Sequence, residues 1–184
     1  MNAIQRLLLA LVFSTLAGTA FAQAPFRAET PVVVTSSGQS LDAFTVKTML
    51  GRAGIANDYN PRLEPSQLGA AKTLIIAFGA SVKGFGTAGV TAETELARTR
   101  ALLKAARERK MAVIGVHVGG SERRKGLSEA FVDLVTPAVD YLVVWDEGNA
   151  DRYFDKVASD KKIPLTLIPQ PMEVGKTLAQ AFGR

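Results

Sequence analysis

The sequence predicts a single α/β domain built on a doubly wound, mostly parallel sheet. Short apolar runs alternate with segments of helical periodicity along the whole chain, the pattern of repeated β-α units. Most of those runs are continuously hydrophobic, as strands covered on both faces must be, and this argues for parallel pairing. Right-handed crossovers between parallel strands then place helices on both sides of the sheet, a three-layer sandwich of flavodoxin-like or Rossmann-like type.

The elements follow in order. Residues 32–35, Val-Val-Val-Thr, read as the first strand, and residues 41–53 as an amphipathic helix with Val46, Met49, Leu50 and Ala53 on one face. Gly54 stands where a helix stop requires positive φ. A weaker strand at 55–59 and a strong one at 73–78 come next, followed by the glycine-rich stretch 79–89, read as a flexible loop. The longest helix, 91–110, opens with Glu93 and Glu95 and closes with Arg107, Arg109 and Lys110, the polarity that the helix dipole favours. Strands at 111–117, 141–145 and 165–168 alternate with helices at 127–135, stopped by Pro137, at 151–159 and at 173–182. The predicted order is β-α-β-β-α-β-α-β-α-β-α.

Composition narrows the function classes. Arg6, the apolar run 7–17 and Ala20-Phe21-Ala22 form a signal-peptide pattern with cleavage near Ala22, so residues 1–22 are set apart from the fold and the product is expected in the periplasm or secreted. The run is shorter than the ~20 residues of a spanning helix. Residues 23–30 read as a leader and 31–184 as the α/β domain. Without its first 22 residues the 184-residue chain keeps 162, enough for one well-packed core. The chain has no cysteine, which excludes disulfides, thiolate chemistry and a lipid attached through cysteine. The net charge of +5 falls to +4 once Arg6 is removed, and the basic residues mostly sit beside acids in helices, so nucleic acid is not an expected partner.

Ligands of doubly wound sheets bind outside the carboxyl ends of the strands, which directs attention to the loops 36–40, 79–89, 118–126, 146–149 and 169–171. Thr35-Ser36-Ser37-Gly38-Gln39-Ser40 has the hydroxyl and glycine spacing of flavodoxin-like phosphate loops and sits after the first strand, as they do. Backbone N–H groups and a helix N-terminus attract anions there. The same residues would also serve if Ser40 merely capped the helix and Gly38 merely allowed a turn. Flavin mononucleotide is an alternative ligand with only Phe85 and Trp145 as candidate ring stackers; no cofactor is firmly implied.

Gly84-Phe85-Gly86-Thr87-Ala88-Gly89 is a literal G-x-G-x-x-G, but it does not follow the first strand, and Arg109 and Lys110 stand where an acid is required. Its loop is instead expected to carry Ser81 and Lys83 towards the site. Gly79-Ala80-Ser81-Val82-Lys83 has a lysine where a nucleophile elbow needs glycine, which disfavours a serine hydrolase. His117, the one histidine, ends a strand and is either a donor or general base at the site or a packed strand-end residue. It has no carboxylate cluster around it in sequence, so no metal site is expected. Arg123, in Ser121-Glu122-Arg123-Arg124-Lys125, lies in the following loop and could hold a carboxylate or phosphate. Asp146-Glu147-Gly148-Asn149 reads as structural, with Asn149 or Asp151 capping the next helix.

The segments PVVVTSSGQSLDAFTVKTMLGRAGI, KTLIIAFGASVKGFGTAGV, MAVIGVHVGG and YLVVWDEGNADRYF together resemble a family of exported bacterial proteins known as domain of unknown function 6305. The resemblance implies an exported α/β domain and supplies no activity, cofactor or catalytic residue. The leading expectation is a non-catalytic domain that binds a small anionic molecule through Ser36, Ser37, Gly38, Gln39, Ser40, Ser81, Lys83, His117 and Arg123, with a membrane or periplasmic protein as a further partner. One rival is a hydrolase or transferase using His117 with the serine loop. The other is a protein-interaction module.

Overall fold

The computed structural model of this protein describes residues 26–184; the signal-peptide pattern and its cleavage position lie outside them. Six parallel strands form one open sheet in the order β2-β1-β3-β4-β5-β6: β1 (Val32–Ser37), β2 (Asn57–Tyr59), β3 (Thr73–Phe78), β4 (Ala112–His117), β5 (Tyr141–Trp145) and β6 (Leu165–Ile168). The strand order reverses between β1 and β3, which creates the switch point where ligands of such sheets bind.

Alternation along each strand divides the core between two faces. Val32 and Val34 pack with Ala43, Val46 and Leu50 of α1 (Asp42–Arg52) and with Val174 and Leu178 of α6 (Val174–Ala181). Val33, Leu74 and Ile76 face the other layer, made by α3 (Ala92–Glu108), α4 (Glu129–Val135) and α5 (Tyr153–Lys161), through Leu102, Val132 and Phe154. The described residues before β1 are tied to this body: Ala28 N–H donates to Ala181 O at 2.8 Å, and Phe26 stacks on Tyr141 with ring centroids 5.0 Å apart.

The strands over 73–78, 141–145 and 165–168 fall where the hydropathy places them. β1 runs two residues further, because Ser36 and Ser37 continue the ladder opposite Ala77 and Phe78. The stretch 79–89 is not a flexible loop. Residues Val82–Ala88 form an additional helix, α2, whose Ser81 N-cap accepts from Gly84 N–H at 3.1 Å and whose C-cap is Gly89 at φ 66°. The cap residues outweigh the low helix propensity of Gly84 and Gly86, and Gly84 has a second reason to be glycine. A Cβ there would come within 1.9 Å of Gln39 O, so the missing side chain lets α2 lie directly against the turn that follows β1.

Candidate functional site

At the switch point, the turn after β1, the segment after β2 and helix α2 enclose a cavity of about 450 Å³. That size is ordinary for a small-molecule pocket. Gln39, Ser40, Ser81 and Lys83 line it, as the sequence predicts, and Tyr59 and Arg62 join them. The last two come from the end of β2 and the segment beyond it. Because β2 is a three-residue edge strand with no clear apolar run, little in its sequence announces that its end reaches the site.

The charge of the lining is one-sided. Lys83 and Arg62 contribute to it and no Asp or Glu does. Arg62 Nη1 donates to Ala88 O at 3.0 Å, which holds its guanidinium against α2, whereas Lys83 is exposed and makes no ion pair among the described residues. Ser81 Oγ accepts from Gly84 N–H and Ser40 Oγ accepts from Asp42 N–H at 3.4 Å, so each hydroxyl keeps its own proton to donate. Burial raises the Tyr59 phenol above its usual range, which keeps it a neutral donor.

The remaining predicted residues lie elsewhere. Ser36 and Ser37 are strand residues with no exposed surface, and Ser37 Oγ is 3.0 Å from Thr99 Oγ1 on α3. Gly38, at φ 104°, donates its N–H to Glu95 Oε1 at 3.0 Å, and Gln39 Nε2 donates to the same oxygen at 2.9 Å and to Pro61 O at 3.0 Å. The anion attracted by this turn is therefore the protein's own carboxylate. Glu95 is in turn paired with Arg98, whose Nε and Nη2 reach its two oxygens at 2.8 Å each, while Nη1 donates to Leu63 O at 2.7 Å. The Glu95 side chain is fully buried and that of Arg98 is 8% exposed.

In the sequence Glu95 reads only as a favourable charge in the first turn of a helix. The missed signal is its spacing: Glu95, Thr99, Leu102, Leu103 and Ala106 are the buried residues of α3, so the carboxylate sits on the apolar face and needs an internal partner. With Gly38 N–H and the Gln39 amide engaged by Glu95, the turn offers no cradle for a flavin phosphate. Phe85 is buried against Phe131, and Trp145 is half-buried close to Gly120 rather than at the cavity.

His117 and Arg123 also stand apart from the cavity. The His117 ring is wholly buried, tilted against Phe78 and Phe154 at centroid distances of 5.4 and 5.2 Å, with Nδ1 3.1 Å from Phe78 O and Nε2 3.3 Å from Gly120 O. Burial lowers its pKa, so it is held neutral although two carbonyls would each welcome a proton. It is a packed strand-end residue. Arg123 lies over Gly79 and Gly119, donates Nη1 to Ala80 O at 3.3 Å and pairs through Nε with Asp42 Oδ2 at 3.3 Å. Its charge is thus met by an acid in the first turn of α1. Asn149 Oδ1 accepts from Phe154 N–H at 3.0 Å and Asp151 Oδ1 from Tyr153 N–H at 3.2 Å, which makes both structural at the start of α5.

The family model described as "Domain of unknown function (DUF6305)" matches residues 29–182. Among solved structures, the chain is similar to a flavodoxin from the domain Archaea, at 7% identity and a TM-score of 0.37 over 83% of this chain and 99% of that one. It is also similar to a GDSL-like lipase from Bacteroides thetaiotaomicron VPI-5482, at 14% identity and a TM-score of 0.33 over 74% of this chain and 66% of that one. No curated protein matches it.

Proposed function

The chain belongs to the family described as domain of unknown function (DUF6305), and from that starting point we propose that it is an exported domain that binds a small anion in the switch-point cavity. The observation that carries this reading is the lining itself: Lys83 and Arg62 face one 450 Å³ space with no carboxylate among its walls. A negative ligand would meet two cations and the hydroxyls of Ser40, Ser81 and Tyr59, a donor set with few competing acceptors. The lining pairs no nucleophile with a base, and His117 is buried outside it, which supports binding over turnover. Export is supported by Arg6, the apolar run that follows it and Ala20-Phe21-Ala22.

The test is calorimetric titration of the full chain with acetate and with inorganic phosphate at low salt. Lys83→Ala and Arg62→Ala should each weaken the bound anion by about tenfold, in line with ~1.4 kcal/mol for one charge-assisted contact. Binding unaffected by either change would overturn the assignment. Expression with export in a Gram-negative host, followed by intact-mass measurement, should give a product beginning at Gln23; an unprocessed cytoplasmic product would refute the export reading.

A further inference from the structure

The cavity carries a second feature that two cations do not account for. Isolated exposed apolar residues are common on protein surfaces, but a cluster around one opening marks a binding surface. Leu41 and Val82 are 78% and 75% exposed, the two highest values among the large hydrophobic residues described. Leu41 lines the cavity, and Val82 stands between the lining residues Ser81 and Lys83 at the start of α2. Phe44, 51% exposed, sets its ring against that of Tyr59, a further lining residue, edge-on at 5.9 Å. Pro61 and Ala88 extend the apolar wall inside.

A bare inorganic anion would use the cations and hydroxyls and leave these surfaces in water. From this combination of an apolar rim with a cationic, carboxylate-free lining, we infer that the ligand is an amphiphilic anion, a monocarboxylate bearing an aliphatic tail. The inference rests on the anion-binding reading and specifies its ligand. The carboxylate is met by Lys83 and Arg62, and the tail covers Leu41, Val82 and the Phe44–Tyr59 pair. The exposed surfaces of Leu41 and Val82 are the apolar area that such a tail would cover.

The experiment is a titration of the full chain with acetate, butanoate, hexanoate and octanoate below their micellar concentrations, with octanol as the uncharged control. Each buried methylene should tighten binding by about fourfold. The double change Leu41→Ser and Val82→Ser should flatten that dependence, and Lys83→Ala should weaken every carboxylate of the series by a similar factor. Octanoate binding no tighter than acetate, with the Lys83 effect retained, would overturn the amphiphile and leave the anion site standing. Octanol binding as tightly as octanoate would overturn the requirement for charge, and failure of every member and of phosphate to bind would overturn both readings.

Discussion

The backbone N–H of Gly38 donates to Glu95 Oε1 at 3.0 Å, joining a turn after the first strand to a carboxylate 57 residues further along the chain. The carboxylate takes up two of the donors that the sequence offers to a ligand anion, the Gly38 N–H and the Gln39 amide. Gln39 and Arg98 complete its shell, so the charge is buried and satisfied at once. The same guanidinium donates to Ser36 O and Leu63 O, which fixes the segment after β2 to the end of β1 and so sets two walls of the cavity.

Removing one partner of this pair should be costly. Glu95→Ala leaves Arg98 buried without a counter-charge, for which a loss of about 3–5 kcal/mol is typical, measurable by urea unfolding. Formate or acetate should raise the melting temperature of Glu95→Ala by more than that of the parent at the same concentrations, since a free carboxylate can refill the vacated position. Arg98→Met combined with Glu95→Leu should cost less than Glu95→Ala alone, because no charge is stranded.

Ser37→Ala should separate the buried strand end from the ligand site. The change removes the hydrogen bond to Thr99 and should cost about 1 kcal/mol. Anion affinity should stay within twofold of the parent, because Ser37 has no exposed surface and does not line the cavity. Unfolding and titration on one preparation check both halves.

Stability should fall as the solution is acidified through the range below pH 6.5. His117 is held neutral in the folded protein because burial lowers its pKa, whereas the unfolded chain takes up a proton near the ordinary value of 6.5. The unfolded state therefore binds more protons between that value and the lowered folded one, and the loss proceeds at up to about 1.4 kcal/mol per pH unit before levelling off. Urea midpoints of the parent and of His117→Gln, compared from pH 7.5 to 5, should show a shallower slope in the variant.

Most of the fold is legible in the sequence because burial on both faces leaves unbroken apolar runs, as in Leu74, Ile75 and Ile76 or Leu142, Val143 and Val144. What is not legible comes from polar groups that are buried and paired at a distance. Ser36 and Ser37 look like the start of a ligand loop but extend β1, since Thr99 supplies a partner that hydropathy does not reveal. Glycines suggest a loop at 79–89, yet Ser81 and Gly89 cap a short helix there, and Gly84 is required for contact with Gln39 O. Within the site, Gln39, Ser40, Ser81 and Lys83 are found from the topology rule alone. Arg62 is missed because nothing local distinguishes a surface arginine from one placed by a distant helix.

The most direct measurement is a two-dimensional amide NMR titration of the full chain with octanoate. Saturable shifts are expected, centred on Ser40, Leu41, Arg62, Ser81 and Gly84 and moved to about tenfold higher octanoate in Lys83→Ala, with His117 and its neighbours unmoved. Shifts centred on Ser121, Arg124 or His117, or none at any concentration below the micellar limit, would contradict it.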